Sequence, residues 1–172
     1  EQAVRAVENG IGLARDLAEG AEVLATGEVG IGNTTPATAM AAVFADLPVE
    51  SLCGPGTGLD AAGIRHKVKV IRGSIALHSP DPDDGLDVLA KVGGFEIGGI
   101  AGLILGAAAC RRPVLVDGFI SPAGARPAPA LCPAAMPSAF LAPARAPPRP
   151  PPPALCPGRP PPLDFDLARG GE

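Results

Sequence analysis

Gly27-Glu28-Val29-Gly30-Ile31-Gly32-Asn33-Thr34-Thr35 is a glycine-rich stretch between a short apolar run and an alanine-rich segment. Thr34 or Thr35 is a favourable N-cap and Pro36 suits the first helical position, so the pattern predicts a glycine loop that leads into a helix. The N-terminus of a helix has unpaired N–H groups and a positive dipole end, which favour a phosphate group. The spacing matches neither the Walker A loop nor the dinucleotide fingerprint, and an ordinary strand-to-helix turn is the alternative.

The rest of the apolar pattern alternates between short strands and helices. Residues 21–26 and 114–116 are short apolar runs that predict buried strands. Apolar residues at helical spacing predict helices over residues 1–19, 36–47, 59–78, 86–92 and 95–109. This alternation indicates an α/β fold with a parallel sheet, in which ligands bind at the carboxyl ends of the strands. Glu28 and Asp117 follow the two predicted strands.

Three further motifs follow the glycine loop. They are Gly-Pro-Gly-Thr-Gly at 54–58, Lys-Val-Gly-Gly-Phe-Glu-Ile at 91–97 and Pro-Val-Leu-Val-Asp-Gly-Phe-Ile-Ser at 113–121. In this order, residues 1–121 resemble the nicotinate-nucleotide–dimethylbenzimidazole phosphoribosyltransferase family. The resemblance implies a Rossmann-like parallel sheet flanked by helices. It also implies transfer of phosphoribose from nicotinate mononucleotide to dimethylbenzimidazole during assembly of the cobalamin nucleotide loop. The family is longer at both ends, so we expect an incomplete and inactive enzyme.

The resemblance also implies a set of site residues. Lys67 would contact the substrate phosphate, as the family's lysine does, and Glu172 would be the general base. Substrate would further be bound by Glu28, Gly30, Gly32, Asn33, Thr34, Gly56, Thr57 and Gly58. For Glu28 the alternative is an acid on a surface turn. For Lys67 it is an exposed helix face, because Arg65 and Lys69 are neighbours.

Composition excludes several other classes of function. Residues 1–120 contain 9 Lys and Arg against 15 Asp and Glu, which argues against nucleic acid as a partner. The longest apolar stretch, residues 97–110, is short for a membrane span. No Cys-x-x-Cys pair or histidine–carboxylate cluster predicts a metal site, and we expect no cofactor. Reduced cysteines fit a cytoplasmic protein, and we expect a homodimer when the chain is complete.

The last third of the chain has a different composition. Of 22 prolines, 16 lie in residues 121–172, so we expect residues 122–162 to be disordered or polyproline II. The segment is either a true linker or a GC-rich gene region translated out of frame. Residues 163–172 resemble the segment that leads to the family's catalytic glutamate. A second hypothesis for the whole chain is therefore a non-catalytic nucleotide-binding module with a proline-rich interaction tail.

Overall fold

A computed structural model describes residues 1–117, 120–125, 127–132, 134–135 and 139–141. The expectations for residues 142–172, including those for Glu172, lie outside the described residues. The elements, in chain order, are α1 Gln2–Ala18, β1 Leu24–Thr26, α2 Thr34–Ala45, α3 Val49–Leu52, α4 Ala61–His78, α5 Gly85–Val92, α6 Phe95–Ala109, β2 Val114–Val116, α7 Ile120–Ala125, α8 Pro127–Leu131 and β3 Ala139–Leu141.

The strands form a three-stranded parallel sheet in the order β1-β2-β3. Ala25 pairs with Leu115, and Leu115 pairs with Phe140, so these three residues share one face of the sheet. The other face packs against helices, because its buried residues form one core cluster with α1, α6, α7 and α8. The predicted Rossmann-like parallel sheet with flanking helices is confirmed.

Helices α1 and α6 pack in close contact through glycine. A Cβ on Gly102 would lie 2.0 Å from the carbonyl oxygen of Val7, and one on Gly10 would lie 2.1 Å from that of Gly99. Only glycine permits this approach of the two backbones. Gly102 of α6 therefore serves the packing of the two helices.

A second core lies between α2 and α5. Met40 of α2 and Val88 of α5 are fully buried in it, as is Ile97 of α6. Asp84 caps α5 by accepting hydrogen bonds from the backbone N–H groups of Leu86 and Asp87. Asp84 is therefore the N-cap of α5. The second core fixes α2, and therefore fixes the glycine loop that precedes it.

Two expectations from the sequence are wrong. Helix α2 begins at Thr34 with Asn33 as N-cap, so Pro36 is its third residue rather than its first. Proline is tolerated there because the first-turn N–H groups have no partner within the helix.

The second error concerns the described part, up to residue 141, of the segment 122–162 that was expected to be disordered. In its described part, the segment forms most of α7, all of α8 and strand β3, which pairs with β2. The prolines do not prevent this, because Pro127 is the first residue of α8, where its missing N–H is not needed.

Candidate phosphate site

The candidate site lies where three parts of the chain meet, beyond the carboxyl end of β1. Lys67, on α4, donates a hydrogen bond from Nζ to Oγ1 of Thr34 at 2.7 Å. Gly56 lies against the same pair, because a Cβ at that position would be 3.2 Å from Thr34 Oγ1 and 3.7 Å from Lys67 Nζ. The structure therefore brings together Thr34, Gly56 and Lys67, three residues predicted from separate motifs.

Lys67 has an unusual environment for a lysine. Only 7% of its surface is exposed, whereas its neighbours Arg65 and Lys69 are exposed. The alternative of an exposed helix face is therefore wrong for Lys67. Within the described residues the ion pairs are Arg72–Glu50 and Lys91–Asp87, and neither involves Lys67. A buried ammonium without a carboxylate is costly, and an anionic ligand would relieve that cost.

The N-terminus of α2 adds backbone donors to this corner. Thr34 is the first residue of α2, and Asn33 makes no side-chain capping bond to the helix. The first intrahelical bond runs from the N–H of Ala37 to the carbonyl of Asn33, so the N–H groups of Thr34 and Thr35 have no intrahelical acceptor. These N–H groups, the helix dipole and Lys67 together suit a phosphate.

Both predicted glycine loops have backbone conformations that favour glycine. Gly30 and Gly32 have φ of 76° and 81°, and Gly56 and Gly58 have φ of 57° and 112°. These positive values strain any residue with a Cβ. The backbone of both predicted walls therefore depends on glycine. Thr57 is exposed in the turn between Gly56 and Gly58.

Glu28 braces the first glycine loop. Its carboxylate accepts hydrogen bonds from the N–H of Gly30 and from Nδ2 of Asn33, the latter at 2.7 Å. The carboxylate is exposed and lies just beyond the edge of the sheet where β1 and β2 end. Oδ1 of Asn33 is buried and has no hydrogen-bond partner in the described part of the chain. Glu28 therefore shapes the loop and still faces solvent.

Sequence reasoning missed Cys53 as a neighbour of the site. Burial raises the pKa of its thiol, the charge of Lys67 opposes that rise, and Glu50 adds to it. The raised pKa keeps the thiol protonated near neutral pH, so Cys53 is a poor nucleophile. Its position just before the 54–58 motif was the one available signal.

Metal and membrane roles gain no support from the described residues. Among them, no group of three His, Cys, Asp or Glu side chains could hold a metal ion. None of the helices in the described ranges combines the length and hydropathy that crossing a bilayer requires.

The fold and the site together define an α/β protein with a candidate anion site at the carboxyl edge of its parallel sheet. A family model described as "Phosphoribosyltransferase" matches residues 1–148. The chain therefore belongs to this phosphoribosyltransferase family. The resemblance predicted for residues 1–121 is confirmed, and the match extends beyond the predicted boundary.

Curated relatives and solved structures agree with this assignment. The nicotinate-nucleotide–dimethylbenzimidazole phosphoribosyltransferase of Syntrophotalea carbinolica is 55% identical over 136 residues, which cover 79% of this chain and 38% of the relative. The protein of the same name from Roseiflexus sp. strain RS-1 is 57% identical over 134 residues, covering 77% of this chain and 38% of that protein. A crystal structure of CobT from Thermus thermophilus aligns with a TM-score of 0.76 and 38% identity, covering 83% of this chain and 43% of that one. The chain thus spans about two fifths of the relatives' length.

Proposed function

We propose that this chain supplies the phosphate- and ribose-binding part of a nicotinate-nucleotide–dimethylbenzimidazole phosphoribosyltransferase. The observation that supports this most is the buried Lys67 ammonium, hydrogen-bonded to Thr34 at the N-terminus of α2 and without a carboxylate among the described residues. The phosphate of nicotinate mononucleotide would accept hydrogen bonds from Lys67 and from the first-turn N–H groups of α2.

The reaction replaces one bond at the anomeric carbon of ribose. A dimethylbenzimidazole nitrogen forms a bond to that carbon, while the bond to the nicotinate ring nitrogen breaks and its electrons stay with nicotinate. The ribose gains positive charge in the transition state, and we propose that the exposed carboxylate of Glu28 stabilises that charge. A carboxylate must accept the N–H proton of the benzimidazole, and Glu172 remains the candidate for that role.

The remaining wall of the substrate site is assigned to the glycine loops. Gly30 and Gly32 on one side and Gly56 and Gly58 on the other permit close approach of the ribose, with Asn33 and Thr57 completing the two loops. We further propose that the complete enzyme is a homodimer that acts in the cytoplasm, without nucleic acid or a cofactor.

A second candidate is a nucleotide-binding module without catalysis. It is favoured by the phosphate corner itself, in which Thr34, Gly56 and Lys67 lie together and could bind a nucleotide phosphate without any catalytic base. The two functions differ in one observable outcome. A module binds nicotinate mononucleotide and never releases nicotinate, whereas an enzyme releases it when dimethylbenzimidazole is present.

A binding experiment tests the phosphate assignment. Calorimetric titration of the 172-residue chain with nicotinate mononucleotide should give a weaker Kd for Lys67→Ala by about 10- to 100-fold, the loss typical of a charge-assisted hydrogen bond. Lys69→Ala is the matched control, because it removes the same charge from an exposed position two residues away. If both variants lose the same affinity for nicotinate mononucleotide, the loss reflects net charge alone, and Lys67 does not contact the phosphate.

A chimera tests the catalytic assignment. Residues 1–141 would replace the matching segment of the Syntrophotalea carbinolica relative, and nicotinate release would be measured with dimethylbenzimidazole present. We expect release by the chimera and a steep loss with Lys67→Ala. The 172-residue chain alone should show little or no release, because positioning of the second substrate contributes many orders of magnitude to the rate. A chimera that binds the mononucleotide but releases no nicotinate would favour the module.

A further inference from the structure

Asn33 stands at the start of α2, but its side chain does not cap the helix. An asparagine at the N-cap normally accepts a hydrogen bond from the N–H of the second or third helical residue. The third residue of α2 is Pro36, which has no N–H, and Asn33 makes no side-chain bond to the helix. The side chain of Asn33 is therefore free to make a different contact.

The amide of Asn33 contacts the carboxylate of Glu28 instead. Its Nδ2 donates to Oε2 of Glu28 at 2.7 Å, and the N–H of Gly30 donates to the same oxygen. No group among the described residues donates a hydrogen bond to the second carboxylate oxygen, Oε1, although each carboxylate oxygen has two lone pairs. The two donors on Oε2 fix the direction of this exposed carboxylate, and they leave Oε1 for a ligand.

Stability alone does not favour this use of Asn33. Its Oδ1 is buried and has no hydrogen-bond partner in the described ranges. A buried oxygen without a partner lowers stability, whereas a capping bond would have used this oxygen. Local features that lower stability are expected mainly at functional sites, so the contact between Asn33 and Glu28 points to a role in the reaction.

Asn33 also joins the two parts of the candidate site. It directly precedes Thr34, whose Oγ1 accepts the hydrogen bond from Lys67. Consecutive Cα atoms are about 3.8 Å apart, so neighbouring residues at the start of α2 hold the Lys67 ammonium and the Glu28 carboxylate. A ribose phosphate with its phosphate at Lys67 would bring its ring towards this carboxylate.

We propose that Asn33 is a positioning residue, which turns Oε1 of Glu28 towards the ribose ring while the phosphate lies at Lys67. The proposal rests on the charge-stabilising role proposed above for Glu28. Without the Nδ2 donor, the N–H of Gly30 would be the one remaining donor, and the carboxylate would rotate about it. Each freed torsion has three staggered minima, so the population in the working orientation would fall about 3-fold for one torsion and about 10-fold for two.

A cationic ligand measures the orientation of Glu28 without any turnover. The probe is a pyrrolidine analogue of ribose 5-phosphate, whose protonated ring nitrogen imitates the positive charge that the ribose gains in the reaction. Ribose 5-phosphate is the uncharged-ring reference. Calorimetric titration of the 172-residue chain should give a Kd about 10-fold or more lower for the pyrrolidine, the gain typical of a charge-assisted hydrogen bond. Glu28→Gln should abolish this preference.

Asn33→Ser separates the positioning role from support of the loop. Serine is an equally good N-cap, so Tm should not fall, but its side chain is too short to replace the Nδ2 donor. We expect the preference for the pyrrolidine to fall about 3- to 10-fold and the Kd of ribose 5-phosphate to stay unchanged. Asn9→Ser, the same substitution at an exposed position of α1, is the matched control and should change neither Kd.

The chimera described above supplies the catalytic readout. There, Asn33→Ser should lower kcat for nicotinate release by about the same 3- to 10-fold and should leave KM for nicotinate mononucleotide nearly unchanged. A change confined to KM would overturn the positioning role.

The possible results distinguish this proposal from the proposed function. A parent chain that binds the pyrrolidine and ribose 5-phosphate equally would exclude Glu28 from stabilising the charge and would overturn both. A preference that disappears in Glu28→Gln but persists in Asn33→Ser would overturn the role of Asn33 alone. Equal weakening of both ligands in Asn33→Ser would mean that Asn33 only maintains the loop, which would also overturn its positioning role.

Discussion

Replacing Lys67 by Met should stabilise the ligand-free protein and sharply reduce its response to the nucleotide. Met has a similar length and no charge, so Lys67→Met removes the cost of keeping an ammonium in a site that is 7% exposed. The substitution also removes one hydrogen bond, the 2.7 Å bond to Thr34. Replacing buried ionic groups by apolar ones of similar volume is neutral or stabilising by about 1–4 kcal/mol, and the lost bond places this case near the lower end, at about 1 kcal/mol.

Thermal unfolding measures both halves of this prediction. A gain of about 1 kcal/mol raises Tm by roughly 2–4 °C in a chain of this size. Nicotinate mononucleotide at about 100 times the parent's Kd should add about 2.7 kcal/mol to the parent chain and only about 0.4–1.4 kcal/mol to Lys67→Met, as a 10- to 100-fold weaker Kd requires. Lys69→Met, at an exposed position, should leave unchanged both the Tm of the ligand-free protein and the stabilisation by nicotinate mononucleotide. A fall of Tm by about 5 °C or more in Lys67→Met would mean that the ammonium holds the fold together and would refute the reasoning.

Two further predictions concern the fold. Gly102→Ala should lower the free energy of unfolding, measured in urea, by at least about 3 kcal/mol, because its Cβ would lie 2.0 Å from the carbonyl oxygen of Val7. The control Gly73→Ala lies on α4, where a Cβ meets nothing within 4 Å, and should raise the free energy of unfolding by about 0.5–1 kcal/mol. The Lys91 hydrogen bond holds the pKa of Asp87 below its ordinary value, helped by the backbone N–H of Asp81. Because this pKa is lower in the folded state, the contribution is present above about pH 4 and is lost as the pH falls below it. In Lys91→Met, unfolding should therefore depend less on pH below about pH 4 than in the parent chain. Identical acid unfolding curves for the two proteins would contradict the role given to the Lys91–Asp87 pair.

The sequence predicted the elements best where the apolar pattern was long or was bounded by glycine or proline. Helix α6 and strand β2 have the predicted bounds, because a glycine pair precedes the helix and Pro113 precedes the strand. It failed on the described part of residues 122–141, where composition suggested disorder. Proline counts do not show whether each proline occupies a helix's first turn, as Pro127 does. Nor do they show that a neighbouring strand is available for pairing, as β2 is for β3.

The candidate site was predictable in its residues but less so in its geometry. Lys67, Thr34 and Gly56 come from separate motifs, and only the packing of α4 against α2 brings them into contact. The burial of Lys67 could not be read from its neighbours, since Arg65 and Lys69 suggest an exposed helix face. The brace between Glu28 and Asn33 also depends on three-dimensional geometry, because the two residues lie five positions apart in the chain.

The most direct test of the phosphate site is a residue-resolved titration. Amide chemical shifts of the 172-residue chain would be followed by NMR while nicotinate mononucleotide is added, and again with nicotinate riboside, which lacks the phosphate. We expect the mononucleotide to shift the amides of Thr34, Thr35 and Gly56, and we expect the riboside at the same concentration to leave them almost unmoved. Equal shifts with the two ligands, or shifts confined to residues far from Lys67, would contradict the account.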